Sequence, residues 1–403
     1  MSFTILMIAF EAGRWGPPRL VQQLSESQFK VCALCPSDNA LVHTSRLDKH
    51  FALKNVQSSR YFRRRLRQVL REITPSLVIP CDERTVAALH AIVKEQRAGS
   101  RILPQPAFET LVRSLAHPDW LDSVLLKNHT LALARELDLP VPQSVVVSNV
   151  EQAVERASKM GFPVYVKSSF SWAGLGTIAC DNSAAVAKAF ADLNSGRRTS
   201  PLKMVVRRLM ARDWYPACPV IEVQKSAPGK PAMYCAVALG GKLLAGFSAM
   251  AEQTMGSSGP STIVRISKNQ VFEDAARKMI EATGLSGFVG FDFMWDETHK
   301  QAALIECNPR PIQVCHLGEK IGSNLCAALA MALKGQIPAE PFPEIELVVP
   351  LFPQEWLRNE EAALARGREL DLPRGDSKLL QFMLHEAQRQ GRSTDRLKLA
   401  LSV

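Results

Sequence analysis

The stretch Gly287-Phe-Val-Gly-Phe-Asp-Phe-Met294 is followed, after a short polar segment, by Leu304-Ile-Glu-Cys-Asn-Pro-Arg310. Both stretches are apolar apart from a few charged or amide side chains, which is typical of buried strands. The segment 295–301 between them is polar and predicts a hairpin turn. The sequence therefore predicts two neighbouring antiparallel strands, and this hairpin decides the fold of the second half of the chain.

Three oxygen-bearing side chains lie on these strands. Glu306 and Asn308 are two residues apart, so they share one face of a strand, and the pairing brings Asp292 beside them. Three such ligands, completed by phosphate oxygens and water, suit Mg²⁺, and two such ions bridge a triphosphate during transfer. The alternative is an exposed hairpin with one polar face. Because unpaired carboxylates are costly to bury among apolar neighbours, we expect a magnesium site at Asp292, Glu306 and Asn308.

Two lysines precede a loop rich in serine and glycine. Lys127 begins a predicted helix, and Lys167 ends the predicted strand 162–167. A lysine at a strand end presents a point charge to a phosphate, and the backbone N–H groups of the loop 168–176 can cover phosphate oxygens. Taken singly, such a lysine is more often a solvated surface residue.

Further segments are candidates for ligand contacts. The apolar strand 220–225 leads into a polar turn, and its backbone groups suit an adenine ring. The Gly/Ser loop 254–261 is followed by Arg265, for which we expect a substrate carboxylate as partner; the alternative is a hairpin loop with an outward arginine. Gln313 and His316 follow the second strand and are candidates for the same cavity, although a structural role is the commoner one for a single histidine.

The first hundred residues alternate between strand and helix patterns. Strands are predicted at 4–10, 30–35 and 76–80, and helices from about Arg19 and over 63–73. This alternation predicts a parallel sheet covered by helices on both faces, and ligands gather at the carboxyl ends of such strands.

Composition and charge exclude several classes of protein. The chain has 403 residues, of which 46% are apolar and 22% charged, as in a globular protein of two to three domains. Residues 5–10 are too short and too poor in basic flanks for a signal peptide, and no apolar run is long enough to span a membrane. We therefore expect a cytoplasmic location and no membrane partner.

The net charge of +10 comes partly from the basic stretch 60–71. Its apolar residues recur at helical spacing, which favours an amphipathic helix with a solvated face over a nucleic-acid arm, and a basic surface suits anionic substrates. Cys32 and Cys35 have the spacing of a redox or metal motif but lie in a predicted strand, where their side chains point to opposite faces. We expect no nucleic-acid partner and reduced core thiols.

The order of these parts along the chain resembles the ATP-grasp superfamily, and more specifically its carboxylate–amine ligases. The resemblance rests on Lys127, Lys167 with its loop, Glu222, Asp292 and the motif 306–310. It implies an α/β protein (an α+β ATP-grasp fold). An N-terminal Rossmann-like domain would occupy 1–105, and a two-subdomain ATP-grasp domain 106–335 with its mobile subdomain at about 145–225. A small C-terminal extension would occupy 336–403.

The resemblance also implies a role for each matching position. Arg310 would stabilise the phosphoryl group and act with Arg265 as a catalytic residue, and Glu222 would meet the adenine amino group. The segment 229–232 lacks the acid that holds the ribose in many relatives, so no ribose contact is assigned. The implied ATP-binding residues are Lys127, Lys167, Ser168, Ser169, Gly174, Gly176, Glu222, Val223, Gln224 and Lys225.

The activity implied by the resemblance is an ADP-forming ligase that depends on ATP and on Mg²⁺, or Mn²⁺ in its place. It would convert a small carboxylic acid into an acyl phosphate and couple it to an amine, an amino acid being the expected substrate class. A homodimer is implied as well. A carboxylase that uses bicarbonate, a kinase and a non-catalytic ATP-binding protein stay open as alternatives.

Overall fold

In the computed structural model, the described residues form three β-sheets, one of six strands and two of four. The structure describes residues 3–13, 15–171, 176–195, 220–256, 259–336, 345–391 and 396. In this part of the chain, no helix has the length and apolar character needed to cross a bilayer.

The N-terminal sheet is parallel throughout and has the strand order β3-β2-β1-β4. The predicted parallel sheet is therefore confirmed, although the short strand β3, with its charged first residue, escaped the sequence pattern. The strands are β1 (Thr4–Ile8), β2 (Lys30–Cys35), β3 (Lys49–Ala52) and β4 (Leu77–Pro80). The helices are α1 (Gly16–Glu26), α2 (Ser59–Ile73) and α3 (Glu83–Arg97).

Two details of this domain bear on the sequence predictions. Helix α1 begins at Gly16 rather than at about Arg19, because Pro17 and Pro18 occupy its first turn, where a missing N–H costs nothing. Cys32 and Cys35 pack into different hydrophobic clusters on opposite faces of β2, as predicted. Each is a free thiol.

The second sheet is small and antiparallel, with the order β5-β8-β6-β7. Its apolar face packs with two helices to form a separate hydrophobic cluster. The strands are β5 (Ser144–Val147), β6 (Val164–Ser168), β7 (Thr177–Cys180) and β8 (Ile221–Lys225). The helices preceding and covering it are α4 (Gln105–Arg113), α5 (Leu121–Leu125), α6 (Lys127–Glu136), α7 (Val150–Met160) and α8 (Ser183–Ser195).

The third sheet has the order β13-β12-β9-β10-β11-β14 and is antiparallel. The predicted hairpin is confirmed as β12 and β13, which pair directly. The strands are β9 (Lys230–Leu239), β10 (Lys242–Thr254), β11 (Ser261–Ser267), β12 (Gly287–Asp296), β13 (Gln301–Asn308) and β14 (Leu347–Pro350). Helices α9 (Gln270–Thr283) and α10 (Leu325–Leu333) accompany it.

The C-terminal segment contacts both the six-stranded sheet and the N-terminal domain. Strand β14 joins the six-stranded sheet beside β11, and the buried carboxylate of Asp371 binds Arg19 of α1. The remaining helices are α11 (Gln354–Arg358), α12 (Glu360–Ala365) and α13 (Ser377–Arg389). Short 3₁₀ helices lie at Ala40–His43, Pro118–Trp120, Cys315–Ile321 and Gly367–Glu369.

Candidate active site

The three predicted metal ligands lie together on the β12–β13 hairpin. Asp292 and Glu306 are register partners, and Asn308 lies opposite Gly290. The Nδ2 atom of Asn308 donates to Asp292 Oδ2 at 3.1 Å and to Glu306 Oε1 at 3.3 Å. The hairpin therefore gathers two carboxylates and one amide at a single point.

The two carboxyl groups at this point have pKa values shifted in opposite directions. Burial, together with the neighbouring Glu306 carboxylate, raises the pKa of Asp292 well above its usual value. Burial also acts to raise the pKa of Glu306, but the Lys127 ammonium outweighs it and holds that pKa below its usual range. Two carboxylates and an amide oxygen are the donors that a hard divalent cation prefers, and such a cation would let both acids ionise. The described residues contain no cluster of three or more His, Cys, Asp or Glu side chains suited to a metal, so Asn308 is needed to complete the set.

The two predicted lysines converge on this cluster from different elements. Lys127, the first residue of α6, places its Nζ 2.9 Å from Glu306 Oε2 and 3.1 Å from Ser171 Oγ. Burial acts against its charge, yet Glu306 raises the pKa of Lys127 above its usual value. Lys167, near the end of β6, is 6% exposed. Burial and the nearby Lys127 charge lower the pKa of Lys167 to about 8.

Glu222 and Gln224 lie on the same face of β8, toward Lys167. Lys167 is the register partner of Glu222 and donates from Nζ to Gln224 Oε1. Burial raises the pKa of Glu222. Glu222 Oε1 and Gln224 Nε2 are buried and have no hydrogen-bond partner in the described part of the chain. Because such atoms are costly to leave unpaired, they are suited to a polar ligand.

Arg310 connects this cluster to the N-terminal domain. Its Nη2 atom binds the Glu83 carboxylate and donates to Asn308 Oδ1 at 3.2 Å, while its buried Nε has no partner among the described residues. Burial acts against the charge of Arg310, but the Glu83 carboxylate raises its pKa. The sequence pattern predicts a strand over 76–80 but assigns no role to Glu83, which follows it. The sequence feature that could have indicated a role for Glu83 is its position just after β4.

A cavity of about 370 Å³ opens beside these groups. Its wall includes part of the second Gly/Ser loop, and Gln313 lies there as predicted. His316 does not line this cavity: its ring lies 2.7 Å from Asp371 Oδ2 in a buried network. The polar lining residues are Glu83, Ser261, Asp292, Glu306, Asn308, Arg310 and Gln313.

The structure does not bring Arg265 to this cavity. Its Nε lies 2.5 Å from Glu252 Oε1, and Nη1 pairs with Glu346, with about a third of the side chain exposed. Arg265 lies four residues beyond Ser261 along β11, which separates it from the cavity by most of the strand. In the structure, Arg265 pairs with these two acids and does not line the cavity.

The remaining predicted ATP-binding residues lie in the Ser/Gly loop 168–176 or on β8. Gly174, in the loop, lies outside the described residues. Ser168 N donates to Gly176 O at 2.8 Å across the loop. Ser169 Oγ accepts from Val220 N at 2.9 Å, which ties the loop to β8. The side chains of Val223 and Lys225 lie on the other face of β8 from Lys167: Val223 is fully buried, and Lys225 Nζ donates to Gly161 O at 2.7 Å. Only their backbone groups are therefore available to an adenine ring.

A second cavity, of about 380 Å³, adjoins the end of β8 and shares Met294 with the first. Its wall combines the segments 140–143 and 225–228 with the end of the β12–β13 hairpin. The two cavities share Met294, and the first is lined by the charged side chains of the cluster around Asp292 and Glu306.

Two regions of the sequence match family models. Residues 127–209 match the carbamoyl-phosphate synthase L chain, ATP binding domain, and residues 242–313 match the ATP-grasp domain. The chain is 27% identical over 214 residues to the arginine-specific large chain of carbamoyl phosphate synthase from Geobacillus stearothermophilus. That match covers 50% of this chain and 18% of the relative, so the chain spans less than a fifth of this curated relative.

Solved structures share the fold at low identity. Carboxyaminoimidazole ribonucleotide synthase from Aspergillus clavatus, complexed with ATP, matches at 14% identity with a TM-score of 0.62, over 100% of this chain and 98% of that one. The biotin carboxylase domain of Hydrogenobacter thermophilus 2-oxoglutarate carboxylase matches at 14% and 0.62, over 86% and 73%. L-amino acid ligase from Bacillus licheniformis matches at 14% and 0.54, over 83% and 75%.

The parallel-sheet domain, the small sheet with its lysine and the larger sheet with its carboxylates define the ATP-grasp class of fold. The two family matches, at residues 127–209 and 242–313, agree with this fold.

Proposed function

We propose that the protein is an ATP- and Mg²⁺-dependent ligase that activates a small carboxylic acid as an acyl phosphate and couples it to an amine. The observation that carries the proposal is the convergence of Lys127, Lys167 and Arg310 on the Asp292–Glu306 pair beside the 370 Å³ cavity. Phosphoryl transfer depends mainly on positioning and charge neutralisation, and these side chains supply both.

The two cavities suggest how ATP would lie. The adenine would occupy the cavity beside the end of β8 and contact its backbone, with the unpartnered Glu222 Oε1 accepting from the amino group. The triphosphate would extend toward Lys127 and Lys167, whose ammonium groups neutralise its oxygens. Asp292, Glu306 and Asn308 would hold Mg²⁺, which neutralises phosphate charge. The phosphate-binding and metal-binding roles rest on the same cluster, because Lys127 Nζ lies 2.9 Å from Glu306 Oε2.

The 370 Å³ cavity beside the Asp292–Glu306 pair would take the carboxylic acid substrate. A carboxylate oxygen of the substrate attacks the γ-phosphorus, the bond to the bridging oxygen breaks, and ADP leaves with that electron pair. The amine then attacks the acyl carbon, phosphate leaves, and the amine proton is lost. Arg310 would stabilise the transferred group, and the support for this role is that its Nε donor has no protein acceptor among the described residues. A carboxylate needs this activation because its own oxygen is a poor leaving group.

A second candidate is a carboxylase in which bicarbonate is the acid. The observation that favours it is the likeness of fold over the whole chain to carboxyaminoimidazole ribonucleotide synthase. The two candidates share the site and differ in the acid that the cavity accepts.

The test is ADP release with Mg²⁺ and ATP across pooled carboxylic acids, bicarbonate and amines, with hydroxylamine as a trap. We expect one acid to stimulate ADP release and to give a hydroxamate, and an acid–amine pair to give a product lighter than their sum by one water. Bicarbonate-dependent release with incorporation of labelled carbon identifies the carboxylase. Phosphate on a hydroxyl acceptor without hydroxamate indicates a kinase, and ATP binding without any stimulation contradicts an enzymatic role. The Glu306→Gln variant is the inactive control.

A further inference from the structure

The C-terminal extension contacts the substrate cavity through one side chain. Gln354, the first residue of α11, donates from Nε2 to Gln313 Oε1 at 3.3 Å, and Gln313 lines the 370 Å³ cavity. The extension is held at this position by the pairing of β14 with β11. Leu351 N also donates to Thr262 O at 2.8 Å, next to the cavity wall.

The chemistry of the neighbours fixes which way each amide points. Gln313 Nε2 donates to the backbone oxygen of Ser261 at 3.3 Å. A backbone oxygen only accepts, so the amide of Gln313 must turn its nitrogen toward Ser261 and its oxygen toward Gln354. Gln354 must in turn present its nitrogen. A hydrogen-bonded series therefore runs from the extension to the cavity wall.

This orientation leaves a donor for a ligand. An amide nitrogen carries two N–H groups, and Ser261 takes one of those of Gln313. Arg310, three residues earlier, lines the same cavity and has its buried Nε–H unpartnered within the described residues. Two N–H donors on one wall are suited to an anionic oxygen, above all a carboxylate.

We propose that Gln354 is a positioning residue through which the C-terminal extension determines how well the cavity accepts its carboxylic acid. The proposal rests on the proposed function. Gln354 does not line the cavity; it acts by holding the Gln313 amide so that an N–H faces the substrate. Without that donation, the Gln313 amide is free to rotate and present its oxygen, which repels a carboxylate.

A hydrogen-bond donor at position 354 should therefore preserve the orientation of the Gln313 amide, whereas an acceptor should disturb it. Gln354 Oε1 is buried and has no partner among the described residues, so Gln354→Lys keeps the donation to Gln313 and loses no hydrogen bond. Gln354→Glu offers only acceptors and draws the Gln313 nitrogen away from Ser261. The matched controls are Gln381→Lys and Gln381→Glu, at an exposed position of α13.

The measurement is steady-state ADP release with the acid that stimulates the wild-type protein, giving separate KM values for acid and ATP. We expect Gln354→Glu to raise the acid KM about tenfold, the loss of one hydrogen bond to a charged group, with the ATP KM unchanged. Gln354→Lys should stay within about twofold of wild type, and both Gln381 variants should match wild type. Circular dichroism and melting temperature establish that each variant is folded.

Two results would overturn the inference while leaving the proposed function intact. One is an equal effect of the Glu and Lys replacements on the acid KM, which indicates a purely structural role for Gln354. The other is an unchanged acid KM in Gln354→Glu. If wild-type protein binds ATP but no acid stimulates ADP release, the proposed function fails, and this inference fails with it.

Discussion

Asp292 and Glu306 are register partners on adjacent antiparallel strands, and the Lys127 ammonium lies 2.9 Å from one oxygen of Glu306. The pair carries opposite pKa shifts: that of Asp292 is raised and that of Glu306 is lowered. Two acids this close need a cation if both are to ionise. Lys127 supplies one positive charge, and the proposed Mg²⁺ would supply the rest.

Glu306→Gln should abolish turnover without unfolding the protein. The amide is isosteric but removes the negative charge that would bind the metal and that pairs with Lys127, so we expect ADP release to fall by at least about a hundredfold. The measurement is Mg²⁺-dependent ADP release, alongside the melting temperature. Glu297→Gln, at an exposed position of the same hairpin, is the matched control and should behave as wild type. Normal turnover in Glu306→Gln would remove the metal assignment.

Affinity for ATP should fall as the pH rises through about 8. Burial and Lys127 lower the pKa of Lys167 to about 8, and only its protonated form attracts phosphate. Binding above this pH must therefore take up a proton, whereas below it Lys167 is already charged. Calorimetry between pH 7 and about 9.5, in buffers of different ionisation enthalpy, measures both the affinity and the proton uptake.

Lys167→Arg provides the control for this pH dependence, because a guanidinium stays charged throughout the range. We expect its affinity for ATP to be flat between pH 7 and about 9.5. A wild-type affinity that does not change with pH would show that Lys167 does not meet the phosphates as a titrating cation.

Arg310 and Arg265 should respond differently to the same substitution. Arg310 is 8% exposed, lines the cavity and binds Glu83, whereas Arg265 pairs with two acids away from the cavity. Lysine cannot reproduce the guanidinium's several fixed donors, so Arg310→Lys should lower kcat by about a hundredfold. Arg265→Lys should stay within about twofold, as is usual for surface ion pairs. A large loss in Arg265→Lys would restore the sequence-based prediction of a catalytic role.

The attachment of the C-terminal segment should weaken in acid. Asp371 lies between Arg19 and His316, all three being buried. Burial lowers the pKa of His316 in the folded protein. In the unfolded chain, His316 takes up a proton once the pH falls below the ordinary histidine pKa of about 6.5, and the free energy of unfolding decreases as a result. Arg19 and His316 outweigh burial and lower the pKa of Asp371, and its contribution is lost at still lower pH.

We therefore expect the melting temperature to fall progressively between pH 6.5 and about 4. Asp371→Asn should lower the free energy of unfolding by about 3–5 kcal/mol at neutral pH, because it leaves the buried Arg19 charge unpaired. Urea unfolding measures this loss. His385→Gln, at an exposed position of α13, is the control for His316→Gln, which should flatten the decline above pH 5 or so. An unchanged pH profile in His316→Gln would contradict this account.

Periodicity and local chemistry were enough to predict much of the fold from sequence. The β12–β13 hairpin, the parallel sheet and the amphipathic helix α2 each follow from patterns within about 15 residues. Asp292, Glu306 and Asn308 could also be predicted as oxygen ligands, because the two strands that carry them are close in sequence and pair as a hairpin.

Contacts between distant side chains depend on how the sheets pack. Arg265 and Arg310 were both predicted to be catalytic, but sheet geometry places Arg265 beside Glu252 and Arg310 beside Glu83, just after β4. No local pattern relates Gln354 to Gln313, or Asp371 to Arg19, because these contacts depend on how separate sheets and the C-terminal segment pack. Local sequence patterns were enough to predict the strands, the helices and the chemistry of their side chains. The cavity depends on packing between residues hundreds of positions apart, because its wall is assembled from segments that no short-range periodicity connects.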